Sequence, residues 1–73
     1  MPYYFSGRKL REQRERRGFT REQLAVRADG LTAHAIESYE TGKRIPYVHK
    51  LGRLCGALNI TPNDLFTTRA DRR

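Results

Sequence analysis

His34, His49 and Cys55 are the side chains best suited to metal ligation or nucleophilic chemistry, and their spacing supports neither. No two of them stand at the short intervals of a known zinc pattern. Cys55 is the only cysteine, no Ser/His/Asp order is present, and no glycine-rich loop could cradle a phosphate. Catalysis has no foothold, so neither a metal nor a cofactor is expected. The chemistry that remains is electrostatic. Fifteen Lys+Arg against eight Asp+Glu give a formal net charge of +7 and a pI near 10.3. A basic domain of this size points to a polyanionic partner, most often nucleic acid. A protein that simply happens to be basic accounts for the charge equally well. Twelve of the fifteen cations are arginine, the residue suited to bidentate phosphate and guanine contacts, although a GC-rich genome produces the same bias.

The elements that must position these charges read as helices. Thr20 is a good N-cap, with Gln23 three residues on to close a capping box, and Phe19 and Leu24 form a hydrophobic staple across it. The same staple recurs as Phe5 and Leu10 around Ser6, Leu31 and Ile36 around Thr32, and Ile60 and Leu65 around Thr61. Pro62 falls at a first helical position and Asp64 in a positive first turn. Gly18 closes a first helix over about residues 6–17, Gly30 separates the second from the third, and Gly42 ends the third. Val48, Leu51, Leu54, Cys55 and Leu58 form one apolar stripe on a fourth helix over about residues 46–59. No window alternates well enough for a strand.

The expected fold is therefore all-α, a compact five-helix bundle in one domain over residues 1–66, with a basic, flexible tail over 67–73. Its expected core is Leu10, Leu24, Ala25, Ala28, Ile36, Tyr39, Leu51, Leu54, Leu58, Ile60 and Leu65, with Ala25 at a close helix crossing. Seventy-three residues lie near the lower limit for a core without staples, and a lone cysteine suits a reducing compartment. There is no signal-peptide layout at the N-terminus and no apolar run near the roughly 20 residues that span a bilayer. The chain is expected to be soluble and cytoplasmic, with no membrane partner.

Residues 20–42 carry the most information: two short helices joined by a tight glycine turn in a basic chain. Such a pair places its second helix in the major groove of double-stranded DNA. With Ile36 and Tyr39 facing inward, Ala33, His34, Glu37 and Ser38 are left to reach the groove floor. His34 could bond guanine O6 or N7, Ala33 could meet a thymine methyl, and Glu37 could accept from a cytosine amino group. An idle histidine and a solvated glutamate, or one orienting a neighbouring Arg or His, remain alternatives. Arg21 at the start of the second helix and Thr32 capping the third are candidate phosphate contacts. Arg8, Lys9, Arg11, Arg16 and Arg17 read equally as a solvated face, with Arg8–Glu12 and Arg11–Glu15 at helical spacing.

Leu10-Arg-Glu-Gln-Arg14, Gly18-Phe-Thr, Leu24-Ala25, Ile36, Glu40-x-Gly42, Lys43-Arg44-x-Pro46, Leu51-x-x-Leu54-Cys55-x-x-Leu58-x-Ile60 and Asp64-Leu65 together resemble the Cro/CI-type, lambda-repressor-like (Xre-type) helix-turn-helix family. The resemblance runs from about Arg8 to Phe66. It implies a five-helix DNA-binding domain of the kind found in phage-type repressors, restriction-modification or plasmid controllers, and antitoxins. By the family's register the base readers are Ala33, His34 and Ser38, and Lys43 and Arg44 lie in the loop that grips the DNA backbone. Arg14 and Glu40 fall where the family forms a partly buried ion pair between the first and third helices. Cys55 falls where it usually has a small residue of the core. Two positions depart from the pattern. Arg21 replaces a common Gln, keeping phosphate binding but losing an amide prop. The turn Asp29-Gly30-Leu31 is one residue longer than usual, which bears on the tilt of the recognition helix.

The function implied is a sequence-specific transcriptional regulator of repressor or controller type, bound to DNA as a homodimer. The fifth helix, starting after Thr61, and the C-terminal segment near Leu65 and Phe66, with Tyr47 at the start of the fourth helix, are the expected dimer surface, the core being the alternative place for Phe66. The alternative is an antitoxin-like or adaptor protein whose partner is another protein. Tyr3-Tyr4-Phe5 would serve that reading, or would cover the base of the core. Nucleoid-type or RNA binding is disfavoured, since there is neither a basic N-terminal arm nor an aromatic stacking platform.

Overall fold

Each helix begins with backbone N–H groups that no residue of the helix can satisfy, and at the first three a preceding hydroxyl satisfies one. In the computed structural model, which describes residues 3–68, α1 (Gly7–Arg16) starts where Ser6 Oγ accepts the Lys9 N–H at 3.1 Å. Helix α2 (Arg21–Arg27) opens on a capping box: Thr20 Oγ1 accepts the Gln23 N–H at 3.0 Å, and Gln23 Oε1 accepts the Thr20 N–H at 2.9 Å. Helix α3 (Ala33–Glu40) is capped by Thr32, whose Oγ1 accepts the Ala35 N–H at 3.0 Å. Helix α4 (Val48–Leu58) has no side-chain cap and ends in a left-handed Asn59. Gly42, at φ +84°, turns the chain out of α3 and lets the Lys43 N–H return to the Ser38 carbonyl at 2.9 Å.

The expected fifth helix is a single 3-10 turn, Pro62–Leu65. The Thr61 N–H is taken by Asp64 Oδ2 at 3.1 Å, and one residue past Leu65 the chain is already extended. Phe66–Thr67 (β2) then pairs antiparallel with Tyr4–Phe5 (β1), in the register Tyr4 to Thr67 and Phe5 to Phe66. The expectation of five helices and no strand is thus corrected, among the described residues, to four helices, a 3-10 turn and a ribbon of two two-residue strands. Two residues per strand are too few for alternation to register. Thr67, expected in the tail, lies in this ribbon; residues 69–73 lie outside the described residues. The Ser6 N–H to Leu65 carbonyl bond, 2.8 Å, and the Lys9 ammonium on the Phe66 carbonyl, 2.7 Å, tie the two ends of the domain together.

Leu10, Leu24, Ile36, Leu54, Leu58 and Leu65 are sealed from solvent, with Ala28, Leu31, Ala35, Tyr39 and Cys55 completing the core. Each large aliphatic side chain buried in this way contributes about 1.5–3 kcal/mol. Ala25, Leu51 and Ile60, expected inside, pack on the edge of the core instead. Val48, assigned to the apolar stripe of α4, is the first residue of that helix and is 81% exposed, the buried stripe beginning further along. Phe5 stands edge-on to Tyr39 at 6.5 Å and to Phe66 at 6.0 Å, so this member of the aromatic cluster covers the base of the core.

Candidate nucleic-acid interface

Burying Ala35, Ile36 and Tyr39 rolls α3 so that its opposite side meets solvent. His34 and Glu37 are exposed there and Ala33 is half-exposed, all within the first turn and a half. Ser38 does not join them: it is only 6% exposed. The left-handed turn at Gly42 folds the following loop back, and the Ser38 carbonyl accepts both the Lys43 N–H (2.9 Å) and the Arg44 N–H (3.2 Å). Ser38 thus holds that loop, rather than presenting its hydroxyl beside His34. Thr32 is exposed at the head of the helix, and its oxygen, already accepting from Ala35, still has a proton to donate.

The two cationic flanks differ in rigidity. Lys43 and Arg44 are exposed just beyond Gly42. Arg21 is not the free cation that a phosphate contact suggested. Its Nε donates to Glu40 Oε1 at 3.0 Å, with Nη2 also at 3.0 Å from that oxygen. Glu40 in turn accepts from Arg14 Nε at 2.6 Å and Nη2 at 3.3 Å, and Arg14 Nη1 reaches the Phe19 carbonyl at 2.8 Å. Arg14 and Glu40 therefore form an ion pair between α1 and α3, with Arg21 as a third member.

Helix dipoles account for the third member. Arg21 stands at the positive end of α2 and Glu40 at the negative end of α3, so each is disfavoured by its own helix. Placed together they compensate each other. Glu40, 1% exposed, is shared by two guanidiniums, and the cluster keeps a net positive charge on the side where Arg21 remains 33% exposed. Sequence reading missed this partnership, although a basic residue opening one helix and an acidic residue closing the next was the available signal. Arg11 and Glu15 pair at 3.0 Å on the open face of α1, and such an exposed pair contributes little.

Other residues fall outside this surface. Leu65, expected both in the core and near a dimer surface, is 0% exposed and belongs to the core, and Phe66 is half-buried against Phe5, as its core alternative had it. The exposed apolar side chains next to the candidate interface are instead Ile45, Tyr47 and Val48. Tyr3 and Tyr4 are exposed and, with Gly42, Arg44, Ile45 and other residues, line a cleft of about 360 Å³. His49 is exposed and lies stacked near Tyr47, 6.4 Å between ring centroids. Cys55 is buried in the core, and that burial, with the charge of Asp64, pushes its thiol pKa up. A low-pKa, accessible thiol is what reactivity requires, so Cys55 is a packing residue.

One glycine carries a constraint that its sequence position does not reveal. A Cβ on Gly7 would stand 2.4 Å from the carbonyl oxygens of both Tyr39 and Glu40. The first residue of α1 thus lies against the last turn of the candidate reading helix, with no room for a side chain.

Residues 7–65 match a family described as a helix-turn-helix domain. Among solved structures the chain is similar to the restriction-modification controller protein C.AhdI from Aeromonas hydrophila. The two are 34% identical, with a TM-score of 0.76 over 81% of this chain and 88% of that one. The fold is also that of the P22 c2 repressor protein, solved with a synthetic operator. There the identity is 24% and the TM-score 0.78, over 85% of this chain and 92% of that one. No curated protein gives a significant match.

Proposed function

The chain belongs to the helix-turn-helix domain family, in the Cro/CI-type branch its motifs resemble, and we propose that it regulates transcription by reading double-stranded DNA with the outer face of α3. One observation carries this reading: Ala33, His34 and Glu37 are presented together at the head of a helix whose other face is locked in the core. Cationic groups lie near the end of that helix, Arg21 bonded to its last residue Glu40 and Lys43 and Arg44 exposed just beyond it. Similarity to a controller protein and to the fold of a repressor supports a repressor or controller role. It equally supports a non-enzymatic one. Such a protein works where the DNA is, in the cytoplasm.

His34 and Glu37 carry the polar base contacts in this reading and Ala33 an apolar one. Ser38 contributes by fixing the loop of Lys43 and Arg44. Arg21, Thr32, Lys43 and Arg44 neutralise or bond phosphates. One domain covers too few base pairs for strong discrimination, so two copies act together on half-sites about one helical turn apart. The exposed Ile45, Tyr47 and Val48 are the apolar surface on which they would meet.

Selection of duplexes from a random pool, followed by affinity measurements across salt concentrations, tests this reading. A two-fold symmetric consensus is expected. For three cationic phosphate contacts per domain, log K should fall with log salt at a slope of about −2.7 for each domain bound, or about −5.4 for the pair. Retention of no duplex, or equal retention of all, would leave the protein-binding alternative, for which the cleft beside Tyr3, Tyr4 and Ile45 is the obvious seat.

A further inference from the structure

The turn between α2 and α3 is unusual in two ways. It is built from consecutive left-handed residues, Asp29 at φ +33° and Gly30 at φ +98°. It is also held from a third helix. The guanidinium of Arg53, on α4, donates through Nη1 to the Asp29 carbonyl, and the same nitrogen lies 3.9 Å from the Asp29 carboxylate. The guanidinium lies so close over Gly30 that a Cβ there would be 2.9 Å from Nη1 and 3.5 Å from Cζ.

We propose that Arg53 is a positioning residue for DNA recognition, setting the angle at which α3 is presented by clasping this turn. The inference rests on the reading of α3 as the base-reading helix.

Three features support it. First, the turn needs external restraint. Ala28 and Asp29 still donate back into α2, to the Leu24 and Val26 carbonyls, but a left-handed pair leaves the Asp29 carbonyl outside the helical ladder, and Asp is only moderately tolerant of that region. Second, the turn is gripped from both sides. Leu31 inserts its side chain into the core immediately after Gly30, while Arg53 closes over the outer surface. Third, the grip falls next to the residues it would position. Thr32 caps α3, and Ala33 and His34 follow at once. The core contacts of Ala35, Ile36 and Tyr39 fix how α3 is rolled, whereas the turn fixes how far its leading end projects.

A competing role for Arg53 is direct phosphate contact, since its side chain is 47% exposed, and the two roles leave different traces. The test uses the full chain with Arg53→Met, which keeps the stem and removes the donors, and Arg53→Lys, which keeps the charge but not the fork. Without DNA, a clasping role predicts that backbone amide resonances of residues 29–33 move in Arg53→Met while those of the core stay in place. With DNA, the preference for the selected duplex over a scrambled one should fall about threefold to tenfold, the worth of a half-exposed charge-assisted hydrogen bond. Affinity for the scrambled duplex and the salt slope should be unchanged. Arg53→Lys should lose most of the same preference. Uniform weakening on all duplexes with a flatter salt slope would overturn the proposal in favour of phosphate contact. Unmoved resonances with unchanged preference would overturn it outright. If the wild-type protein preferred no duplex, the DNA reading would fail, and the spectra alone would still decide whether Arg53 holds the turn.

Discussion

Glu40→Ala should be among the most damaging single changes in this domain, and its cost can be worked from the contacts. The carboxylate is 1% exposed and accepts three guanidinium hydrogen bonds, two from Arg14 and one from Arg21. Its removal strands the two cations unequally. Arg14, 11% exposed, keeps only the Phe19 carbonyl, whereas Arg21, a third exposed, can turn its charge to water. Breaking a well-buried pair from one side costs about 3–5 kcal/mol, and the escape of Arg21 puts this case near 3. At about 0.05–0.15 kcal/mol per residue, a 73-residue domain has roughly 4–11 kcal/mol in all. A loss near 3 kcal/mol should lower the melting temperature by at least about 12 °C. Arg14→Met should cost about half as much, since Glu40 keeps Arg21 and the stem is replaced. Circular dichroism melts and urea titrations of the two variants measure both numbers. A Glu40→Ala melt within about 3 °C of wild type, or a larger loss from Arg14→Met, would show that Glu40 is not the buried hub of this ion cluster.

Gly7→Ala should destabilise by more than about 3 kcal/mol, because the new methyl would drive into two carbonyl oxygens of α3; urea midpoints check this. Arg44→Ala should weaken binding to every duplex alike and flatten the salt slope by about 0.9 for each domain bound, measured by fluorescence anisotropy at several salt concentrations. His34→Ala should change which duplexes are selected by about 1–3 kcal/mol per base pair contacted, with the melting temperature unmoved. Cys55 should react with a thiol reagent at pH 8 only as fast as the domain unfolds, since burial both shields the sulfur and pushes its pKa up.

Helix starts were legible because their signals are local. Ser6, Thr20 and Thr32 each cap as their hydroxyls and following residues indicated. The pattern at Thr61 was read correctly as a start but carried too far. Pro62 and Asp64 open a turn that ends at Leu65, since Phe66 is drawn into pairing with Phe5, a partner 61 positions away that no local signal announces. The same limit hid the clash behind Gly7, the third member of the Arg14–Glu40 pair and the hold of Arg53 on the turn, all of which depend on where distant helices meet. Ser38 illustrates the converse. Helical register placed it outside, but the chain leaving α3 folded back over it through Gly42. Register says which way a residue points, and only the rest of the fold says what lies there.

The most direct test of α3 as the reading element is a titration of the labelled protein with a selected duplex, followed residue by residue by NMR. Amides of Thr32 through Glu37, together with Arg21, Lys43 and Arg44, should move with the duplex and far less with a scrambled one. Changes confined to the ribbon of Tyr4–Phe5 and Phe66–Thr67, with α3 unmoved, would contradict that role.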